Sequence, residues 1–315
     1  MTVGIVGLGL VGGSLALDLR AAERAVVGFD TNPEHVRLAA ADGIDAAPDL
    51  AGLVERADIV VVAVPPAAVA RTLQGVAALD PAVVLTDVAS VKDPSALGTD
   101  RVDVGPRYVG GHPMAGTERT GYAAARRGLL AGATWMLTPT DDVDVDAMLD
   151  VAELVLSVGA VPLVVDAAEH DRLVAAVSHV THLLSFALNG VAHRLGSDIV
   201  DLVAGPSFRD ATRVAASDPG FWSDVTTRNR EAVTEVLTDV RDWLVDALGD
   251  EPDALTERLA GARRVVRPRS DEVADVDLTD AAAGVARLRD LGRTGHAITG
   301  VERAGTVCRV STARR

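Results

Sequence analysis

A single cysteine, Cys308, stands in a chain of 315 residues, so no disulfide can form within it and the composition suits a reducing compartment. Lysine is as scarce: of thirty basic residues, only Lys92 is not arginine. The two are interchangeable on most surfaces but not where a compact ammonium is needed, so Lys92 is either a chance survivor or a residue with a specific role. Positive charge is in deficit overall. A formal net charge of −15 repels nucleic acid and anionic lipid surfaces, which excludes both as the main partner. Long apolar runs are lacking too, since the longest, Ile59 to Ala70, is broken by Pro65 and Pro66 and is too short to span a bilayer. No leader-like segment precedes the first strand pattern, and a cytoplasmic location is expected. Internal repeats and low-complexity stretches are absent as well.

What is present reads as an ordinary globular chain, 48% hydrophobic and 24% charged, long enough for two domains and a sizeable core. A short apolar strand, Val3 to Val6, runs into the glycine turn Gly7, Leu8, Gly9, Leu10, Val11 and Gly12, and a helical pattern follows. In a dinucleotide site the first glycine makes the turn and the second lets the pyrophosphate approach the backbone. The third lets helix pack on strand, and the phosphates lie over the helix N-terminus. The second strand, Ala25 to Phe29, ends in Asp30, eighteen residues after Gly12. A carboxylate there accepts hydrogen bonds from ribose hydroxyls and repels a 2′-phosphate, which selects NAD over NADP; the other reading of Asp30 is a helix cap ahead of Pro33. Helices and strands then alternate. Ala57 to Val64 forms the nearly continuous apolar run of a strand buried on both faces, and Val64 and Pro65 end it on the edge where cofactors lie. A further strand, Val83 to Thr86, delivers Ser90 and Lys92 to the same rim. The expected fold is therefore α/β: a Rossmann-type, doubly wound parallel sheet over residues 1–165. An all-helical dimerisation domain follows over 166–265, and then a β-α-β-β extension over 266–315.

The stretch Val109-Gly110-Gly111-His112-Pro113-Met114-Ala115-Gly116 cannot be a helix and is read as a loop that aims one imidazole, with Pro113 pushing His112 toward an extended conformation. Ala167 to Leu195 and Trp222 to Leu248 read as two long helices, with a short one over Phe208 to Ala216. His179 and His182 share a face of the first. No carboxylate or cysteine stands beside them at ligand spacing, so no metal is expected. Arg213, on the short helix, is either solvated or turned into a cleft.

Taken together, Gly7 to Ser14, Asp87-Val88-Ala89-Ser90-Val91-Lys92, Gly111-His112-Pro113-Met114-Ala115-Gly116-Thr117-Glu118, His170-Asp171, Ser178-His179-Val180-Thr181-His182 and Thr212-Arg213-Val214-Ala215 resemble the prephenate and arogenate dehydrogenases of tyrosine biosynthesis. The resemblance runs in order to about residue 265. Ala89 and Thr181 replace a glycine and a proline common in that family, and neither change removes a functional side chain. The resemblance implies an NAD-dependent oxidative decarboxylation of prephenate, and a homodimer is expected because the long helices carry more apolar surface than about a hundred residues can bury alone. His112 would take the C4 hydroxyl proton, Ser90 would hold that histidine and the hydroxyl, and Arg213 would bind a substrate carboxylate, with His182 and Glu118 lining the pocket. Arogenate and 4-amino-4-deoxyprephenate are alternative substrates. A different two-domain reductase, of the β-hydroxyacid dehydrogenase type, would use Lys92 as its acid–base group. The tail resembles the first half of an ACT-type module.

Overall fold

The computed structural model describes residues 1–93, 104–263, 273–304 and 307–314; the expected boundary at 265/266 and the side chain of Cys308 lie outside them. The chain divides into two compact units, Met1–His170 with Asp271–Arg315, and Asp171–Ser270.

The first unit opens with β1 (Thr2–Val6), α1 (Leu10–Ala21), β2 (Ala25–Phe29), α2 (Pro33–Ala41), β3 (Asp45–Ala46), α3 (Leu50–Val54), β4 (Ile59–Val62), α4 (Pro66–Leu79) and β5 (Val84–Asp87). It continues with β6 (Tyr108–Pro113), β7 (Thr134–Pro139), α5 (Val145–Ser157) and β8 (Val161–Val164). The strands form one eight-stranded sheet of order β3-β2-β1-β4-β5-β6-β7-β8. Every residue of β4 is buried, as its unbroken apolar run requires of a central parallel strand. Local signals set the helix starts: Asn32 caps α2 by accepting from the Glu34 N–H, with Pro33 behind it, and Asp144 caps α5 through the Ala147 N–H. All strand pairs are parallel except β6 with β7. The sheet is thus the doubly wound, dominantly parallel one expected, while the reading of residues 109–113 as a loop is corrected, because they form β6.

The second unit is all-helical. α6 (Ala167–Val174) passes through a π-helical segment, Ala175–His179, into α7 (Val180–His193), so the first long helix is continuous but not uniform. Then come α8 (Ser197–Val203), α9 (Pro206–Thr212), a 3₁₀ turn at Arg213–Ala216, α10 (Pro219–Arg228), α11 (Arg230–Gly249) and α12 (Pro252–Ala262). The other expected long helix is broken at Asn229. Ala175, Val180, Ala232 and Val233 make a small core, while Leu188, Leu195, Ile199 and Leu202 are exposed. By length and composition Ala167–His193 passes the test for a membrane-crossing helix, a test that core helices of soluble proteins also pass.

β9 (Val273–Asp277), α13 (Ala281–Arg293), β10 (His296–Ala304) and β11 (Val307–Arg314) return to the first unit, in the β-α-β-β order expected. They form an antiparallel sheet, β10-β11-β9. Val276, Leu278, Val285, Leu288, Leu291 and Ile298 share one core with Leu149, Val155 and Val164. At Gly292 a Cβ would sit 1.9 Å from the Val164 carbonyl oxygen, so α13 lies directly on β8. Arginines fasten the joint: Arg289 reaches Asp141 at 2.6 Å and Asp166 at 3.0 Å, and Arg293 pairs with Asp166 and, at 3.0 Å, with Glu169.

Candidate active site

The sheet reverses its winding between β1 and β4, which opens a crevice at the carboxyl ends of the strands. Gly7 turns there with φ +98, and a Cβ on it would lie 2.4 Å from the Ala63 carbonyl oxygen. A Cβ on Gly12 would lie 2.0 Å from the Gly7 oxygen, so neither position accepts a side chain. Gly9 is different. A Cβ there meets nothing within 4 Å, and no side chain caps the start of α1, so the helix's first amides lie open to a ligand. Leu10 and Val11 form the first turn of that helix, and Val64 and Pro65 enter α4 across the crevice. The Asp30 carboxylate accepts from the Leu8 N–H at 2.7 Å and from the Asn32 N–H at 2.7 Å, and His35 Nδ1 lies 3.0 Å away. It ties the end of β2 to the glycine turn and does not cap α2. These residues fit a dinucleotide: amides and open backbone for the pyrophosphate, and a carboxylate beside them for the ribose.

Because β5 and β6 are parallel, His112 at the end of β6 arrives on the same edge as Val64 and the glycine turn. Space sets Gly110 and Gly111. A Cβ at Gly111 would meet the Asp87 carbonyl oxygen at 2.5 Å and Trp135 Nε1 at 2.8 Å; at Gly110 it would meet Thr138 Oγ1 at 2.4 Å. The glycine pair lets β6 pass close between its neighbours. His112 is buried, and its Nδ1 lies 2.9 Å from Nε2 of His170, which is fully buried at the end of the first unit.

Below this edge lies a charged pair sealed from water, Lys92 with Asp87, whose side chains are 1% and 0% exposed. Tyr108 donates its hydroxyl to the other Asp87 oxygen at 2.6 Å, and the Ala89 N–H donates to the first at 2.7 Å. Burial, and then the charge of Asp87, push the Tyr108 phenol well above its ordinary range, so it stays protonated and donates. The network pins the turn that carries Ser90, which is half-buried. It also gives Lys92 its role: the acid–base group of the alternative reductase reading is locked in an internal ion pair. Glu118 is exposed in the segment after β6.

In the second unit His182 stacks on Trp222 with centroids 3.5 Å apart and donates from Nδ1 to the Ser178 carbonyl at 2.9 Å. Burial lowers its pKa, and the charge of Arg213 adds to this. Arg213 itself is exposed on the 3₁₀ turn. His179 is buried against the edge of Trp222, and burial brings its pKa down to about 4. The Asn229 side-chain amide donates to the Asp171 carbonyl at 2.8 Å and to His179 Nδ1 at 3.1 Å, which explains why the helix breaks at Asn229. The sequence pointed to His112, Ser90 and Asp30. It did not give Asp87, Tyr108, His35, Trp222 or Asn229, and His170 stood out only through its place beside Asp171 in the family pattern.

Comparison with known proteins matches residues 15–164 to the family model "Prephenate dehydrogenase, nucleotide-binding domain" and residues 166–247 to "Prephenate dehydrogenase, dimerization domain". The prephenate dehydrogenase of Bacillus subtilis is 31% identical over 244 residues, which cover 74% of this chain and 66% of that enzyme. A Streptomyces niveus protein named "Probable prephenate dehydrogenase NovF" is 32% identical, covering 96% of this chain and 89% of its own. Among solved structures, the Aquifex aeolicus prephenate dehydrogenase in complex with hydroxyphenyl propionate and NAD+ superposes with a TM-score of 0.76 at 29% identity, over 84% of this chain and 96% of that one.

Proposed function

The chain belongs to the prephenate dehydrogenase family, and from that premise we propose that it catalyses the NAD-dependent oxidative decarboxylation of prephenate to 4-hydroxyphenylpyruvate. The observation that carries the reading is the placement of one buried imidazole, His112, on the strand edge that also carries a glycine cradle fitted to a dinucleotide. NAD, when bound, supplies the hydride acceptor. The substrate gives up its C4 hydrogen as hydride and its ring carboxylate as CO2, and the C4 hydroxyl proton must leave as the carbonyl-like transition state forms. His112 is the base for that proton. Its Nδ1 is committed to His170, so acid–base work by this ring runs through Nε2. Ser90, on the turn held by the Asp87 and Lys92 pair, orients the hydroxyl and the imidazole. Arg213 is assigned a substrate carboxylate, a partner that a guanidinium can grip through two parallel hydrogen bonds. His182, kept neutral, and Glu118 are assigned to the pocket wall.

The exposed apolar residues Leu188, Leu195, Ile199 and Leu202 form the surface of a unit that matches a dimerization domain, and we assign the working enzyme as a homodimer through it. The deciding experiment follows NADH formation with prephenate, arogenate and 4-amino-4-deoxyprephenate in parallel, each with NAD and with NADP. Prephenate with NAD should give the highest kcat/KM. No turnover of prephenate, beside clear turnover of another of the three, would reassign the substrate.

A further inference from the structure

His112 and His170 approach with Nδ1 of one 2.9 Å from Nε2 of the other, rings edge-on at 61°, and neither ring opens freely to water. Two ring nitrogens at this distance hold one hydrogen between them, because two lone pairs repel and two N–H groups collide. If His112 is to take a proton at Nε2, that atom must carry the lone pair. The neutral ring then bears its hydrogen on Nδ1 and donates it to His170 Nε2. We infer that His170 is the positioning residue of the base. It fixes His112 as the Nδ1–H tautomer, fixes the ring plane, and accepts a strengthened hydrogen bond when Nε2 becomes protonated. This rests on the reading of His112 as base.

A carboxylate is the more usual partner for a catalytic imidazole, and it raises the basicity of the ring as well as orienting it. Here two carboxylates of the segment entering α6 are taken up by arginines. Asp166 is held by Arg289 and Arg293, and Glu169 by Arg293. The buried group on that segment facing His112 is the imidazole of His170, on a residue whose backbone N–H donates to the Asp166 carbonyl at 2.8 Å.

Nitrogen-15 spectra of the full-length protein with labelled histidine read the tautomers without any substrate. They should show His112 bearing hydrogen on Nδ1 and an unprotonated nitrogen at His170 Nε2. In turnover, His170→Gln offers an amide oxygen to the same hydrogen and should keep kcat within a few-fold. His170→Phe removes the acceptor and should lower kcat at least about tenfold while KM for NAD and for prephenate changes little. Hydrogen on Nε2 of His112 in the wild-type protein overturns the inference, as does wild-type kcat in a folded His170→Phe enzyme. The wild-type spectrum decides the matter even if the Phe variant does not fold. The expected tautomers in a protein inert toward all three cyclohexadienyl substrates would uphold the pairing and sink the proposed reaction instead.

Discussion

His112→Asn keeps a polar side chain on β6 and removes the base. General-base removal costs about 10²–10⁴ in rate, so kcat should fall by that order with little change in substrate affinity. The ascending limb of the wild-type pH profile, which reports neutral imidazole, should vanish with it; a variant keeping both kcat and the limb would clear His112 of the role. Gly111→Ala tests the same strand by volume. The added methyl must displace the Asp87 carbonyl or Trp135, so a loss of about 1–3 kcal/mol in urea denaturation is expected, together with lower kcat. Asp30→Ser should weaken NAD and narrow the preference over NADP; a wild type that already prefers NADP would contradict the assignment. Asp30 and the glycine turn were legible in sequence because their jobs are met within one strand-turn-helix unit. His170 and Asp87 were not. Their partners lie 58 and 21 residues away, across a register that only the folded sheet supplies.

At the scale of elements, the strands and most helix starts followed from apolar runs and capping residues, as at Asn32 and Asp144. Two features escaped. The π segment Ala175–His179 is marked by no residue type of its own, and Asn229, where the second helix breaks, is bonded to Asp171 and His179 on another helix. This buried knot makes stability depend on pH. The His179 pKa falls from 6.5 to about 4 in the folded protein because burial disfavours its charged form. Above pH 6.5 the ring is neutral in both folded and unfolded chains, and the full contribution is present. As pH drops from about 6.5 to about 4 only the unfolded chain gains the proton, and stability on the order of 3 kcal/mol drains away. Urea midpoints at pH 7.5 and pH 5 should show this fall, and His179→Gln should flatten it. An equal slope in the variant would place the titrating group elsewhere.

For the molecule as a whole, composition and periodicity gave an α/β unit followed by helices, but not the return of residues 273–304 to the first unit, since nothing local marks which sheet edge a later segment will cover. The exposed apolar face of the second unit predicts self-association. Leu188→Glu with Leu202→Glu should convert a dimer to a monomer in sedimentation velocity while the far-ultraviolet circular dichroism stays unchanged; a wild-type sedimentation coefficient would move the interface elsewhere. The return of the C-terminal segment also dictates an order of assembly. When the ribosome has released residues 1–170, β8 is still an uncovered sheet edge with Val164 bare beside it, and the whole of Asp171–Ser270 must be synthesised before α13 arrives to lie on it. The nascent nucleotide-binding half therefore waits, open to pairing with other chains, until the last stretch of translation brings Arg289 and Arg293 to close it.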